Sequence, residues 1–129
     1  MTQRSALIID DEPDVTTYHG ALLSDHGFRV RTANTAHDGL ALAREEVPDV
    51  ILLDVMMPER GGLSTLIALR KEEKLREVKV VLVTGVQQTL TADYQAFLDR
   101  FKHYHPDGYV EKPIDPKRMI ELVDQLTSA

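Results

Sequence analysis

The chain has 129 residues, a formal net charge of −6 and no cysteine. A chain of this length is typical of one domain, the lack of cysteine excludes disulfides and thiolate metal sites, and the acidic balance disfavours nonspecific nucleic-acid binding, which depends on Lys and Arg. The first apolar run, at 6–9, is too short for a signal-peptide core or a membrane span. We therefore expect residues 1–129 to form a single domain of a cytoplasmic protein, with no membrane insertion and no direct nucleic-acid contact.

Apolar runs and amphipathic stretches alternate along the whole chain. Short apolar runs, such as the one at 50–53, predict buried strands. Apolar residues that recur every three or four positions, as at Val15, Tyr18, Leu22 and Leu23, predict helices. In chain order, the predicted elements are strand 5–9, helix 14–26, strand 28–32, helix 35–46, strand 50–53, helix 62–73, strand 78–83, helix 91–103, strand 108–111 and a last helix that begins at 116.

Residues with special backbone or capping properties mark several helix ends. Thr35 and Asp115 are predicted to cap the second and the last helix with their side-chain oxygens. Gly27 favours a stop after the first helix, and Pro48 ends the second. The result is five repeats of strand followed by helix, which predicts an α/β fold with a parallel sheet and helices on both faces.

Polar and charged side chains stand at the ends of four predicted strands. Asp10 and Asp11 follow the first strand, Asp54 the third, Thr84 the fourth and Lys112 the fifth. Ligands of such sheets bind beyond the carboxyl ends of the strands, near the point where the strand order reverses. We therefore expect these side chains to converge at one edge of the sheet.

These residue types have the chemistry that phosphoryl transfer needs. Carboxylates held close together raise each other's pKa unless a cation lies between them, and oxygen ligands without His or Cys favour Mg²⁺. Asp54 can act as a nucleophile and form an acyl phosphate. Lys112 and Mg²⁺ can offset the charge of the phosphoryl oxygens, and Thr84 can donate a hydrogen bond. The pattern predicts a magnesium-dependent phosphoryl site.

Four motifs resemble those of the receiver domains of bacterial two-component response regulators, whose simplest members are the chemotaxis-type single-domain regulators. The motifs are Asp10-Asp11, Ile51-Leu52-Leu53-Asp54-Val55-Met56-Met57-Pro58 followed by Gly62, Val83-Thr84-Gly85, and Glu111-Lys112-Pro113. They occur in the family's order at the strand ends, and the resemblance covers essentially the whole chain. It implies a flavodoxin-like (βα)5 fold with strand order 2-1-3-4-5.

The resemblance also implies the roles of the site residues. Asp54 would be the phosphoacceptor, modified by a histidine kinase or a histidine phosphotransfer protein. Asp11, Asp54 and the backbone carbonyl of Met56 would bind Mg²⁺, and Asp10 would bind it directly or through water. The protein would then be a signalling switch that catalyses part of its own phosphorylation and dephosphorylation, rather than an enzyme that acts on metabolites.

The resemblance further implies how the switch produces its output. Thr84 would move toward the phosphoryl group, and Tyr109, which matches the aromatic switch position, would turn inward. Lys112 would pair with the phosphoryl group, and its bond to Pro113 would be cis. The readout surface would be the face of the fourth predicted helix, the fifth strand and the last helix, through a population shift between two conformations.

The chain departs from the family between Thr84 and Lys112, where it is several residues longer than usual, around 99–106. This extension falls on the expected output face, so the downstream target and a phosphorylation-dependent dimer stay open. Two alternatives also remain: an interaction module that is not phosphorylated, and a phosphatase with an aspartyl nucleophile. Such phosphatases carry Asp-x-Asp after the first strand, whereas this chain has Asp10-Asp11-Glu12.

Overall fold

The structure is a computed structural model that describes residues 3–55, 62–84 and 105–128. The predicted helix 91–103, Met56 and Gly85 lie outside the described residues. The described strands are β1 (Ser5–Ile9), β2 (Arg29–Ala33), β3 (Val50–Asp54), β4 (Lys79–Thr84) and β5 (Gly108–Glu111). The described helices are α1 (Pro13–Asp25), α2 (Ala36–Glu45), α3 (Gly62–Lys71) and α4 (Pro116–Thr127).

The strands form one parallel sheet in the order β2-β1-β3-β4-β5. The predicted α/β fold and its strand order are therefore confirmed. The register pairs Ile9 with Leu53 and Thr84 with Glu111. Because the paired strands end level with one another, the residues that end or follow β1, β3, β4 and β5 meet at one edge of the sheet.

Alternate residues of the central strands fill two hydrophobic cores, one on each face of the sheet. This pattern explains the continuous apolar runs, since a strand covered on both faces buries every side chain. One core joins the sheet to α2 and α3 through Leu7, Ile9, Leu40, Ala43, Ile51, Leu53, Leu66, Leu69, Val80 and Leu82. The other joins it to α1 and α4 through Ala6, Ile8, Leu23, Val50, Leu52, Val81, Val83, Met119, Leu122 and Val123.

The predicted helix caps are present. The Thr35 hydroxyl accepts a hydrogen bond from the backbone N–H of Asp38, and the Asp115 carboxylate accepts one from the backbone N–H of Lys117. Gly27 follows α1 with φ of +92°, a left-handed conformation that suits glycine. These local signals fix where the second and last helices begin and where the first one stops.

Two predictions from the helical patterns are wrong in detail. Helical spacing groups Tyr18 with the apolar face of α1, but Tyr18 is 52% exposed. The buried positions of α1 are the predicted Leu23 together with Thr16, His19 and Gly20. Helix α3 ends at Lys71, two residues before the predicted end at 73, because the chain turns into the segment that leads to β4.

A buried arginine ties the segment before β5 to the end of α3. The Arg70 guanidinium donates to the carbonyls of His105, Arg76 and Val78 and pairs with the Asp107 carboxylate at 2.8 Å. Asp107 also accepts a hydrogen bond from the Val80 backbone N–H at 2.8 Å. This network holds the start of β5 beside β4. It lies at the amino ends of these strands, opposite the carboxyl ends where the polar residues converge. Among the helices of the described ranges, none is both long and apolar enough to cross a membrane.

Candidate functional site

The carboxyl edge of the sheet brings a lysine between two buried carboxylates. Asp10 directly follows β1, Asp54 ends β3, and both are 2% exposed. Lys112 directly follows β5, and its Nζ lies 3.4 Å from Asp54 Oδ1 and 3.8 Å from Asp10 Oδ2. The structure therefore brings together three of the predicted site residues, each from a different strand.

The electrostatics of this group follow from burial and pairing. Burial raises the pKa of Asp10, and the hydrogen bond from the Glu12 backbone N–H and the charge of Lys112 only partly offset it. Burial acts to lower the pKa of Lys112, but the attraction of Asp54 and Asp10 and the hydrogen bond to Asp54 outweigh it, so this pKa is raised. Lys112 therefore stays charged. A further cation near Asp10 would favour the ionised form of its carboxylate.

Three consecutive acids form a loop at the end of β1. One carboxylate oxygen from each of Asp10, Asp11 and Glu12 lies within 4.8 Å of the other two. The Glu12 backbone N–H donates to Asp10 Oδ1 at 3.0 Å, which leaves Asp10 Oδ2 on the side of Lys112. An all-oxygen donor set with no sulfur or imidazole suits a hard divalent cation such as Mg²⁺, so these residues fit that ion.

Thr84 supplies a buried hydroxyl at the end of β4. Its side chain is fully buried, and its Oγ1 has no hydrogen-bond partner among the described residues. The Thr84 carbonyl accepts a hydrogen bond from the Lys112 backbone N–H at 2.7 Å. An unpaired buried hydroxyl costs free energy, and a polar group bound at this edge of the sheet would remove that cost.

Gly62, the glycine of the second motif, lies against the backbone of the Asp54 peptide. A Cβ at this position would lie 2.2 Å from the Asp54 carbonyl oxygen and 2.7 Å from Val55 Cα. The Gly62 N–H also donates to the Val55 carbonyl at 2.9 Å. Only glycine lets the first turn of α3 approach so closely, and this contact fixes the end of β3 that carries Asp54.

The other predicted residues that the structure describes lie at or near the same edge. The Lys112–Pro113 peptide bond is cis, as predicted. Tyr109 lies in the edge strand β5 and is 37% exposed. Asp11 is half-buried within the acidic loop. Met56, the predicted carbonyl ligand, lies outside the described residues.

Comparison with known proteins assigns the chain to a family. The family model of the response regulator receiver domain matches residues 6–124 of the sequence. The chain belongs to this family. PilH of Pseudomonas aeruginosa is 32% identical over 118 residues, which cover 92% of this chain and 93% of PilH. DivK of Brucella ovis, a polar-differentiation response regulator, is 29% identical over 123 residues, which cover 95% of this chain and 94% of DivK.

Solved structures show the same fold. The Vibrio cholerae chemotaxis protein CheY4 superposes with a TM-score of 0.84 at 22% identity, and the match covers 97% of this chain and 99% of CheY4. A response regulator of Chloroflexus aurantiacus gives a TM-score of 0.85 at 19% identity, over 99% and 100% of the two chains. At these identities the likeness concerns the fold alone.

Membership in the receiver family supports phosphorylation-dependent two-component signalling in general terms. Receiver domains are generally signalling modules rather than classical enzymes, and they generally interact with histidine kinases or phosphotransfer proteins. They typically bind Mg²⁺ at an acidic pocket, and the acidic loop of this receiver domain is compatible with one.

Sequence reasoning left two residues near the acidic loop without a role. Glu12 directly follows the two predicted metal ligands Asp10 and Asp11. Because it is their neighbour in the sequence, its carboxylate could have been predicted to belong to the same acidic cluster. Asn34 follows β2, and its side-chain amide donates to the Asp10 carbonyl at 2.8 Å. An Asn after a strand is common in turns, so the local sequence carries no signal for this long-range contact.

Proposed function

We propose that this receiver domain is a phosphorylation-dependent signalling switch whose phosphoacceptor is Asp54. The observation that carries the proposal is the position of the Lys112 ammonium, 3.4 Å from Asp54 Oδ1 and 3.8 Å from Asp10 Oδ2. A cation held beside a buried carboxylate at a strand end can neutralise charge on a group attached to that carboxylate. The buried Thr84 hydroxyl, which has no hydrogen-bond partner among the described residues, adds a donor at the same edge.

The transfer begins when a carboxylate oxygen of Asp54 attacks the phosphorus of a phosphohistidine on a histidine kinase or a histidine phosphotransfer protein. A bond forms between that oxygen and phosphorus while the bond between phosphorus and the imidazole nitrogen breaks, and the electron pair stays on the imidazole. The product on this chain is an acyl phosphate. Lys112 offsets the charge on the phosphoryl oxygens, and Thr84 donates a hydrogen bond to one of them.

The proposal includes a divalent cation, Mg²⁺, at the acidic loop. Asp10, Asp11, Asp54 and the backbone carbonyl of Met56 would hold it, and it would supply charge neutralisation for the phosphoryl oxygens. The mutual approach of the Asp10, Asp11 and Glu12 carboxylates supports this assignment, since such a cluster is stabilised by a cation.

The output of the switch would run through Thr84 and Tyr109. Movement of Thr84 toward the phosphoryl group would let Tyr109, now 37% exposed on the edge strand, turn inward. The face that includes β5 and α4 would then change its affinity for a downstream protein or a second copy of the chain. Residues 1–129 would form a single domain. As a target of a histidine kinase, this domain would work in the cytoplasm.

The proposal is tested by incubating the protein with Mg²⁺ and acetyl phosphate and measuring its intact mass. We expect one phosphoryl adduct that hydroxylamine removes, because hydroxylamine cleaves acyl phosphates, and we expect no adduct on Asp54→Asn. An adduct that persists on Asp54→Asn would place the nucleophile at another residue, as the aspartyl-phosphatase alternative requires. No adduct from acetyl phosphate or from several histidine kinases would favour the interaction module that is not phosphorylated.

A further inference from the structure

A side-chain amide takes over where the backbone ladder between β1 and β2 ends. The last register pair of the two strands is Ile9 with Ala33, and the Asp10 N–H still donates to the Ala33 carbonyl at 3.1 Å. Beyond that point the chain turns toward α2. The Asp10 carbonyl instead accepts a hydrogen bond from Asn34 Nδ2 at 2.8 Å.

This hydrogen bond fixes the peptide group that joins Asp10 to Asp11. Asp10 is then held at its N–H by Ala33, at its carbonyl by Asn34, and at its carboxylate by the Glu12 N–H and the nearby Lys112. The side chains of Asp10 and Asp11 leave the backbone on either side of this peptide group. A rotation of the peptide would therefore change the angle and the separation at which the two carboxylates are presented.

The same amide also approaches the first turn of α1. Asn34 Nδ2 lies 3.4 Å from Thr16 Oγ1, and the Thr16 hydroxyl in turn donates to the Pro13 carbonyl at 2.9 Å. Thr16 is buried, so this part of the network is fixed by the core of the fold. Asn34 therefore ties the acidic loop both to the end of β2 and to α1.

We propose that Asn34 is a positioning residue for divalent-cation binding, and that it acts through the Asp10 peptide group without touching the ion. This inference rests on the proposed function, since the cation is the one assigned there to the acidic loop. Partners that orient metal ligands commonly change metal affinity by about tenfold or more when they are removed. Asn34 contributes the only side-chain donor to the Asp10 carbonyl among the described residues.

The test uses Mn²⁺ as the probe and measures its dissociation constant from the EPR signal of free Mn²⁺. The variants are Asn34→Ala and Asn34→Leu, of which the second keeps the shape of the side chain without its donor. The matched control is Gln3→Ala, because Gln3 Nε2 donates to the Gly27 carbonyl at 3.1 Å in the same kind of amide-to-carbonyl bond, away from the site. Urea unfolding of all three variants measures their stability.

We expect both Asn34 variants to bind Mn²⁺ about tenfold more weakly than the wild type, and Gln3→Ala to bind it with unchanged affinity. The urea midpoint of Gln3→Ala should fall slightly, since this variant loses one exposed hydrogen bond, and that of Asn34→Ala should fall further, since it loses a partly buried one. Equal Mn²⁺ affinity of the Asn34 variants and the control would overturn the positioning role and leave the proposed function standing. Failure of the wild type to bind Mn²⁺ would overturn the metal-dependent function itself, and the positioning role with it.

Discussion

Replacement of Gly62 by alanine tests how the start of α3 fixes the phosphoacceptor strand. The added Cβ would lie 2.2 Å from the Asp54 carbonyl oxygen, 2.7 Å from Val55 Cα and 2.8 Å from the Asp54 carbonyl carbon. All three atoms belong to the backbone, so no side-chain rotation can relieve the overlap. The first turn of α3 or the Asp54 peptide must move, and the hydrogen bond from the Gly62 N–H to the Val55 carbonyl is strained as well.

We expect Gly62→Ala to lower the free energy of unfolding by about 2 kcal/mol, within the range of overpacking substitutions. Because the displaced peptide carries Asp54, phosphorylation by acetyl phosphate should slow as well. The matched control is Gly20→Ala in the middle of α1, where a Cβ would lie 3.5 Å from Val30 Cγ1 in ordinary contact. That change should stabilise the protein by up to about 1 kcal/mol, since alanine favours a helix over glycine.

Urea unfolding followed by circular dichroism measures both variants, and intact-mass kinetics measures phosphorylation. The reasoning would be refuted if Gly62→Ala unfolded within about 0.5 kcal/mol of the wild type, the range of an uninvolved surface substitution, and was phosphorylated at the wild-type rate. A destabilised Gly20→Ala would contradict the use of Cβ distances to separate the two glycines.

Three further substitutions test other parts of the molecule. Lys112→Gln should slow phosphorylation by acetyl phosphate about a hundredfold, measured by intact mass, and an unchanged rate would exclude a role for its charge. Arg70→Met should lower the free energy of unfolding by about 3 kcal/mol in urea, because it leaves a carboxylate and several carbonyls without their buried partner; a loss below about 0.5 kcal/mol, as at an uninvolved site, would contradict this. Burial acts to raise the pKa of Asp124, but the hydrogen bonds from His26 and Arg4 outweigh it and hold this pKa below its ordinary value of 3.8. The stabilisation that ionised Asp124 adds to the folded protein is therefore present above pH 3.8. It is lost as the pH falls through the lower pKa that Asp124 has in the folded state. Asp124→Asn should cost up to about 1 kcal/mol at neutral pH and nothing in strong acid, and a difference that persisted in acid would disprove the assignment.

The strands and the helix caps could be predicted because their signals are local. The run Val50-Ile51-Leu52-Leu53 is apolar throughout and reads as a strand buried on both faces, which it is. Thr35 and Asp115 cap helices with their own side chains, a contact that spans only two or three residues. The exposure of Tyr18 could not be predicted from its spacing in the sequence. Which face of a helix points toward the sheet depends on the rotation of the helix about its axis, and that rotation is set by the residues that pack against it.

The site could be predicted in composition but not in geometry. The parallel alternation implies that Asp10, Asp54 and Lys112 share an edge, yet the 3.4 Å approach of Lys112 to Asp54 depends on the register of β3, β4 and β5. The contact between Asn34 and Asp10 spans 24 residues, and the one between Arg70 and Asp107 spans 37. Such contacts arise from topology, which no periodic pattern within one element encodes.

The most direct measurement of the central claim is chemical mapping of the phosphorylated residue. The protein is phosphorylated with acetyl phosphate in the presence of Mg²⁺ and reduced with borohydride, which converts an aspartyl phosphate into homoserine, and tandem mass spectrometry then locates the change. The account predicts homoserine at residue 54 and at no other aspartate. Homoserine at Asp10 or Asp11, or at none of the aspartates of a protein that has gained phosphate, would contradict it.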